Sequence, residues 1–222
     1  MNDTKERPIA LTAQEVNAVL AGDKTQYRAM VKMPYGAPEF RGCRDSDQGD
    51  ATLWGWDGFE DGDVRILSEI KCPLGKVGDR LWVQEFHARR EFNDPLIGTH
   101  YYADGLLTLD LRHDAGLLIK YAAENMPRWA SRILLEITDI RIERVQDISE
   151  SDALASGLIV QKCQQGSQWF LNPMSNMRSN AFHRDEWIGG FASYWDSLNG
   201  KLSFNDNPWV WVIEFKVIKE SI

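Results

Sequence analysis

"RILLEITDIRIERV", Arg132 to Val145, is the stretch on which the fold turns. Its aliphatic and β-branched residues suit a strand, but the alternation changes phase midway. Ile133, Leu135 and Ile137 stand at odd positions, Ile140 and Ile142 at even ones. Successive side chains of a strand point to opposite faces, so one unbroken register would send part of this set into water. A bulge or tight turn at Thr138-Asp139 returns all five to one face. The stretch therefore predicts strand pieces near positions 135 and 141 that share a core.

Downstream, Ser149 is placed to cap a short helix that runs through Ala155 and stops at Gly157. From Asp185 to Asn199, Trp187, Ile188, Phe191, Tyr194, Trp195 and Leu198 recur at three and four, the stripe of a core-facing helix. Gly189-Gly190 inside it marks a close approach or a kink. "NPWVWVIEFKVI" then alternates as a strand, with Trp209, Trp211, Ile213, Phe215 and Val217 on one face and Glu214 and Lys216 on the other.

Upstream, Arg80 to Phe86 alternates with Leu81, Val83 and Glu85 on one face. A carboxylate on that face points inward and needs a cation partner, because an unpaired buried charge is costly. Lys24 and Arg28 are the expected partners, with Lys24 and Glu85 within hydrogen-bonding or one-water reach. The N-terminal segment "PIALTAQEVNAVLAG" is an extended piece followed by a helix. Thr12 and Glu15 form a capping box, Ala13, Val16, Val19 and Leu20 the apolar stripe, and Gly22 the left-handed stop. Directly after it, "DKTQYR" crowds Lys24, Thr25, Tyr27 and Arg28 together. Either Lys24 only complements the helix dipole among polar residues facing water, or these groups converge on a pocket.

Strands near positions 9, 82, 135, 141 and 212 with intervening helices predict an α+β fold, a small mixed β-barrel with flanking helices. The chain reads as one domain over 1–222, with long loop insertions at about 33–70, 88–126 and 158–183, rich in polar residues, Gly and Pro. A net charge of -8 argues against coating a duplex electrostatically, and leaves room for a local basic site. Nine Trp are core fillers or stacking surfaces. Cys43, Cys72 and Cys163 form no CxxC pair and suit a reducing compartment; His87, His100, His113 and His183 are too scattered to predict a metal site. No cofactor is expected. The N-terminus has no apolar signal core and no stretch approaches a membrane span, so a cytoplasmic protein without a membrane partner is expected.

The ordered set "GDKTQYR", "CPLGKVGDRLWVQE", "MPRWASRILLEITDIRIERVQDIS", "DALASGL" and "WDSLNG…NPWVWVIEF" resembles the ASCH family, a branch of the PUA-like barrels. It is most similar to phage and prophage members that carry the Pro-Arg-Trp-Ala-Ser-Arg run before the paired strands. The resemblance covers roughly half the chain and leaves the three insertions outside it. It implies a PUA-like barrel with a pocket beside the first helix, and nucleic acid or modified nucleosides as ligands. Small bacterial members of this kind remove the acyl group of N4-acetylcytidine with a Lys, a Thr three residues later and a Glu. The Lys falls on Lys24. Tyr27 holds the Thr position, with Thr25 directly after the Lys, and Ser156 holds the Glu position.

A hydrolase built this way lacks its carboxylate unless Glu85 replaces it, so Lys24, Thr25 and Glu85 are the catalytic candidates. Lys24, Tyr27, Arg28, Arg128 and Trp129 are the binding candidates, Tyr27 and Trp129 as stacking faces. The alternative for Arg128-Trp129 is a loop anchored by a buried ring. The leading expectation is a non-catalytic module for single-stranded RNA or DNA or a modified nucleoside. N4-acylcytidine amidohydrolysis, or a phage scaffold that binds a protein partner through its insertions, are the other two.

Overall fold

The computed structural model describes residues 4–32, 42–45, 51–56, 66–90, 99–105, 118–162, 168–171 and 186–218. In chain order the elements begin with β1 (Glu6–Ala10), α1 (Ala13–Ala21), β2 (Gln26–Met30), β3 (Gly42–Asp45), β4 (Ala51–Trp56) and β5 (Ile66–Lys71). There follow β6 (Arg80–Gln84), β7 (His87–Arg90), β8 (His100–Tyr101), β9 (Leu118–Tyr121) and β10 (Leu134–Arg144). The chain continues with α2 (Glu150–Ala155), β11 (Ile159–Lys162), β12 (Gln168–Leu171), α3 (Glu186–Asn199) and β13 (Trp209–Ile218).

The phase change in the opening stretch is a bulge. β10 is one continuous strand, and its register against β13 shifts between Ile137 and Asp139. Thr138 is the extra residue, and the slip puts Ile133, Leu135, Ile137, Ile140 and Ile142 into one buried cluster. β10 lies at the centre of a mixed sheet of order β1-β6-β10-β13-β2, in which only β1 and β6 are parallel.

This sheet is open. Among the described residues no pairing joins the edge strands β1 and β2, so the closed barrel expected above is not seen and the fold stands as α+β. α1 runs from one edge strand to the other, and its Val16 and Val19 pack with Ile9, Leu11, Leu81 and Ile213. A helix, not a strand pairing, covers the core between the edges.

β13 is buried on both faces. Trp211, Ile213 and Phe215 join the α1 side, while Val210 and Val212 pack with Phe191, Tyr194 and Trp195 of α3 and Ala153 of α2. Val217, which shares a face with Trp211, Ile213 and Phe215 by alternation, is 44% exposed near the end of β13.

Each of the three presumed insertions carries its own small sheet: β3-β4-β5, β8-β7-β9 and β11-β12. Strands of two to six residues show too little alternation to announce themselves. Cys163, His113 and His183 lie outside the described residues. Among the described residues no cluster of His, Cys, Asp and Glu could hold a metal ion, and no helix is long and apolar enough to cross a membrane.

Candidate functional site

The capping box that starts α1 also builds the first candidate site. Thr12 N–H donates to Glu15 Oε2 at 3.0 Å and Glu15 N–H to Thr12 Oγ1 at 3.3 Å. The other carboxylate oxygen, Oε1, accepts the Tyr194 hydroxyl at 2.8 Å and lies 3.4 Å from the Lys24 ammonium. Gly22, at φ 81°, ends α1 in the left-handed conformation and turns the chain so that Lys24 bridges to Ser156. Lys24 Nζ donates to the Ser156 carbonyl at 2.7 Å.

This site is sealed. The side chains of Lys24 and Glu15 are 2% and 4% exposed. Burial pulls the Lys24 pKa down, against the attraction of Glu15. For Glu15 burial pushes upward, but Lys24, Thr12 and Tyr194 together hold the carboxyl below its ordinary value. Burial and the nearby Glu15 charge raise Tyr27 to about 12 and Tyr194 well above its usual range.

Arg28 is equally enclosed. It pairs with Glu143 and, at 3.6 Å, with Asp152. Gln26 Nε2 donates to Asp152 at 3.0 Å, and Arg141 ties Asp152 to Glu143 and Glu214. These pairs clasp the β2 edge of the sheet to α2, β10 and β13. Thr25 is exposed, with its backbone N–H on the Ala155 carbonyl. The group read as a ligand pocket is therefore occupied by its own partners.

Glu85 points inward as expected, but its partner is Arg132, not Lys24 or Arg28. Arg132 Nε and Nη2 grip the two carboxylate oxygens at 2.9 and 3.0 Å, and Nη1 reaches Asp104 at 2.9 Å. Burial lifts the Glu85 carboxyl, while Arg132 opposes it with two charge-assisted bonds. β6 runs antiparallel to the start of β10, with Leu134 opposite Trp82, which brings the segment before β10 alongside the end of β6 and within reach of Glu85.

The Pro127–Arg132 run makes the second site. Ser131 Oγ donates to the Val83 carbonyl at 2.8 Å, Tyr101 hydroxyl to the Ala130 carbonyl at 2.8 Å, and Ala130 is buried. These anchors hold a 3₁₀ turn over Arg128–Ala130 and leave Trp129 60% exposed. The alternative of a loop pinned by a buried ring is thereby excluded. Arg128 Nε donates to Glu6 of β1 at 2.9 Å. The Arg89 guanidinium sits over the Trp129 ring at 5.5 Å and over the Tyr121 ring at 4.5 Å.

The binding residues expected in one pocket thus separate. Lys24, Tyr27 and Arg28 belong to the β2 edge, while Arg128 and Trp129 flank β1 at the other end of the strand order. Sequence reasoning missed Glu15, whose capping role hid its second oxygen, and Tyr194, which looked like plain core. It also missed Arg89 and Tyr121 on the second insertion. The available signal there was the parity of "HARR", which puts His87 and Arg89 on one face. Comparison of the chain with family models, with curated proteins and with solved structures gives no match.

Proposed function

We propose that the chain is a PUA-like module of the phage-type ASCH kind that binds single-stranded nucleic acid or a modified nucleoside at the Trp129 face. The observation that carries this reading is a ring 60% exposed yet held in place by its neighbours through Tyr101, Ser131 and Ala130. Such a platform stacks on a base without first being ordered, and Arg89 over the ring supplies positive charge. The finer form that we propose for the α+β fold is a PUA-like one, with α1 connecting β1 and β2, the edge strands of the mixed sheet. A net charge of -8 favours a ligand with few phosphate contacts over an intact duplex.

The test is fluorescence anisotropy of a labelled single-stranded oligoribonucleotide and its duplex. Wild type should prefer the single strand, and Trp129→Ala should weaken that binding roughly 5- to 150-fold, the equivalent of about 1–3 kcal/mol for one stacked base. Unchanged binding in Trp129→Ala would overturn the reading.

One observation favours a second reading, amide hydrolysis of N4-acetylcytidine. Glu15 places a carboxylate 3.4 Å from Lys24, where the resemblance had left only Ser156. Both groups are sealed from substrate and bonded to each other, so the expected result is no turnover above background. A kcat/KM near the usual enzyme floor of ~10⁴ M⁻¹s⁻¹ would reverse the ranking.

A further inference from the structure

Trp129 is the outer end of a column of four planar groups. The His87 and Tyr121 rings stack at 5.3 Å between centres and 16° between planes. Arg89 follows, 4.5 Å from the Tyr121 centre and 5.5 Å from that of Trp129. The small sheet builds the column by register: His87 pairs directly with Tyr121, and Arg89 lies two residues along β7 on the same face. The inner end is shut, since His87 is fully buried with Nδ1 against the Glu85 carbonyl and Nε2 unpartnered. The outer end, the Trp129 indole, is open to solvent.

The column is polarised. An indole face attracts cations through its quadrupole, but here Arg89 already occupies one face. A cation arriving on the other face meets Arg89 across the ring. A neutral base does not meet that repulsion and gains the stack. Resting on the nucleic-acid reading above, we propose that the column is a charge-selective base site. It takes one unpaired, neutral nucleobase on the outer face of Trp129 and disfavours bases with a fixed positive charge. Arg89 sets this specificity without touching the ligand. With a stacking distance of about 3.5 Å, a cationic base lies on the order of 9 Å from Arg89. An effective dielectric of about 40 makes that repulsion worth about fivefold in affinity.

Two isomers separate charge from shape: N6-methyladenosine 5′-monophosphate, which is neutral at the base, and 1-methyladenosine 5′-monophosphate, whose base is cationic at neutral pH. Each is titrated into the full chain while the indole N–H signal of Trp129, assigned with Trp129→Phe, is followed by NMR. Wild type should bind the neutral isomer about fivefold more tightly. Arg89→Met should bring the ratio close to one, and Arg89→Lys should keep it. Equal affinities in wild type, or preference for the cationic isomer, would overturn charge selection while leaving base binding intact. So would a preference that survives in Arg89→Met. If neither nucleotide moves the Trp129 signal, the base-binding reading fails and this one with it. Should Arg89→Met not fold, the wild-type ratio alone decides.

Discussion

Replacing Glu15 should cost far more than replacing its partner Lys24, although the two form one ion pair. In Glu15→Ala the Lys24 ammonium stays enclosed, its side chain 2% exposed, with the Ser156 carbonyl, the Tyr194 hydroxyl and the Tyr27 ring near it and no carboxylate in reach among the described residues. Stranding one member of a buried pair costs about 3–5 kcal/mol. Losing half of the capping box adds up to about 1 kcal/mol. Lys24→Met, by contrast, leaves the Glu15 carboxylate with three donors: the Tyr194 hydroxyl, the Thr12 N–H and the Thr12 hydroxyl. That variant should lose only about 1–2 kcal/mol. Glu15→Leu with Lys24→Met, which removes both charges, should be more stable than Glu15→Ala. Urea unfolding followed by tryptophan fluorescence reads all of these as midpoint shifts at constant slope. Because Glu15 titrates below its ordinary value of 4.5, its contribution is present above that pH and lost as pH falls through the folded value. Equal costs for Glu15→Ala and Lys24→Met, or costs below about 1 kcal/mol for both, would show that the pair is open to water.

Four further outcomes follow from particular contacts. Burial lowers the His87 pKa below 6.5, so its neutral form is favoured in the fold; stability should be flat above that value and fall as pH drops below it, in a series run from 7.5 to 5.5. His87→Phe, which keeps a ring on Tyr121, should show a shallower fall over the same interval in urea midpoints. Gly75→Ala should destabilise by about 1–3 kcal/mol, more than Gly22→Ala, because a Cβ at Gly75 collides with Arg7 and Asp79 whereas at Gly22 it meets nothing. Thermal melts of the two variants compare them directly. Thr12→Ala should cost about 1 kcal/mol through loss of the α1 cap, read by urea unfolding. Arg28→Met should lower stability and leave single-strand binding unchanged by anisotropy, since its guanidinium is enclosed, its side chain 2% exposed, and paired with Glu143 and Asp152.

Local physics was legible in the chain, and long-range pairing was not. The phase slip at Thr138-Asp139 could be read because a period of two tolerates no extra residue without a visible change of parity. The capping box and Gly22 stop were equally plain, being set within a few residues. Glu85 could be turned inward by parity, but its partner depended on β6 lying against β10, a register that no periodicity contains. Tyr194 illustrates a different limit: its ring satisfies a core stripe while its hydroxyl serves Glu15, and hydrophobic spacing shows only the ring. The Trp129 column needed β7 and β9 to pair across a long connection, so only its separate parts were visible. Closure of the barrel was expected from the spacing of the strands and from the resemblance, whereas among the described residues the edge strands β1 and β2 are not paired.

Mapping the site of a photo-cross-link tests the central claim most directly. A single-stranded oligoribonucleotide carrying 4-thiouridine is irradiated with the full chain, digested with trypsin and analysed by mass spectrometry. Trypsin cuts after Arg128 and Arg132 and after Lys24 and Arg28, so the two candidate sites fall on separate peptides. The adduct should appear on Trp129–Arg132 and disappear in Trp129→Ala. An adduct on Thr25–Arg28 instead would place the ligand at the cluster described here as sealed, and would contradict the account.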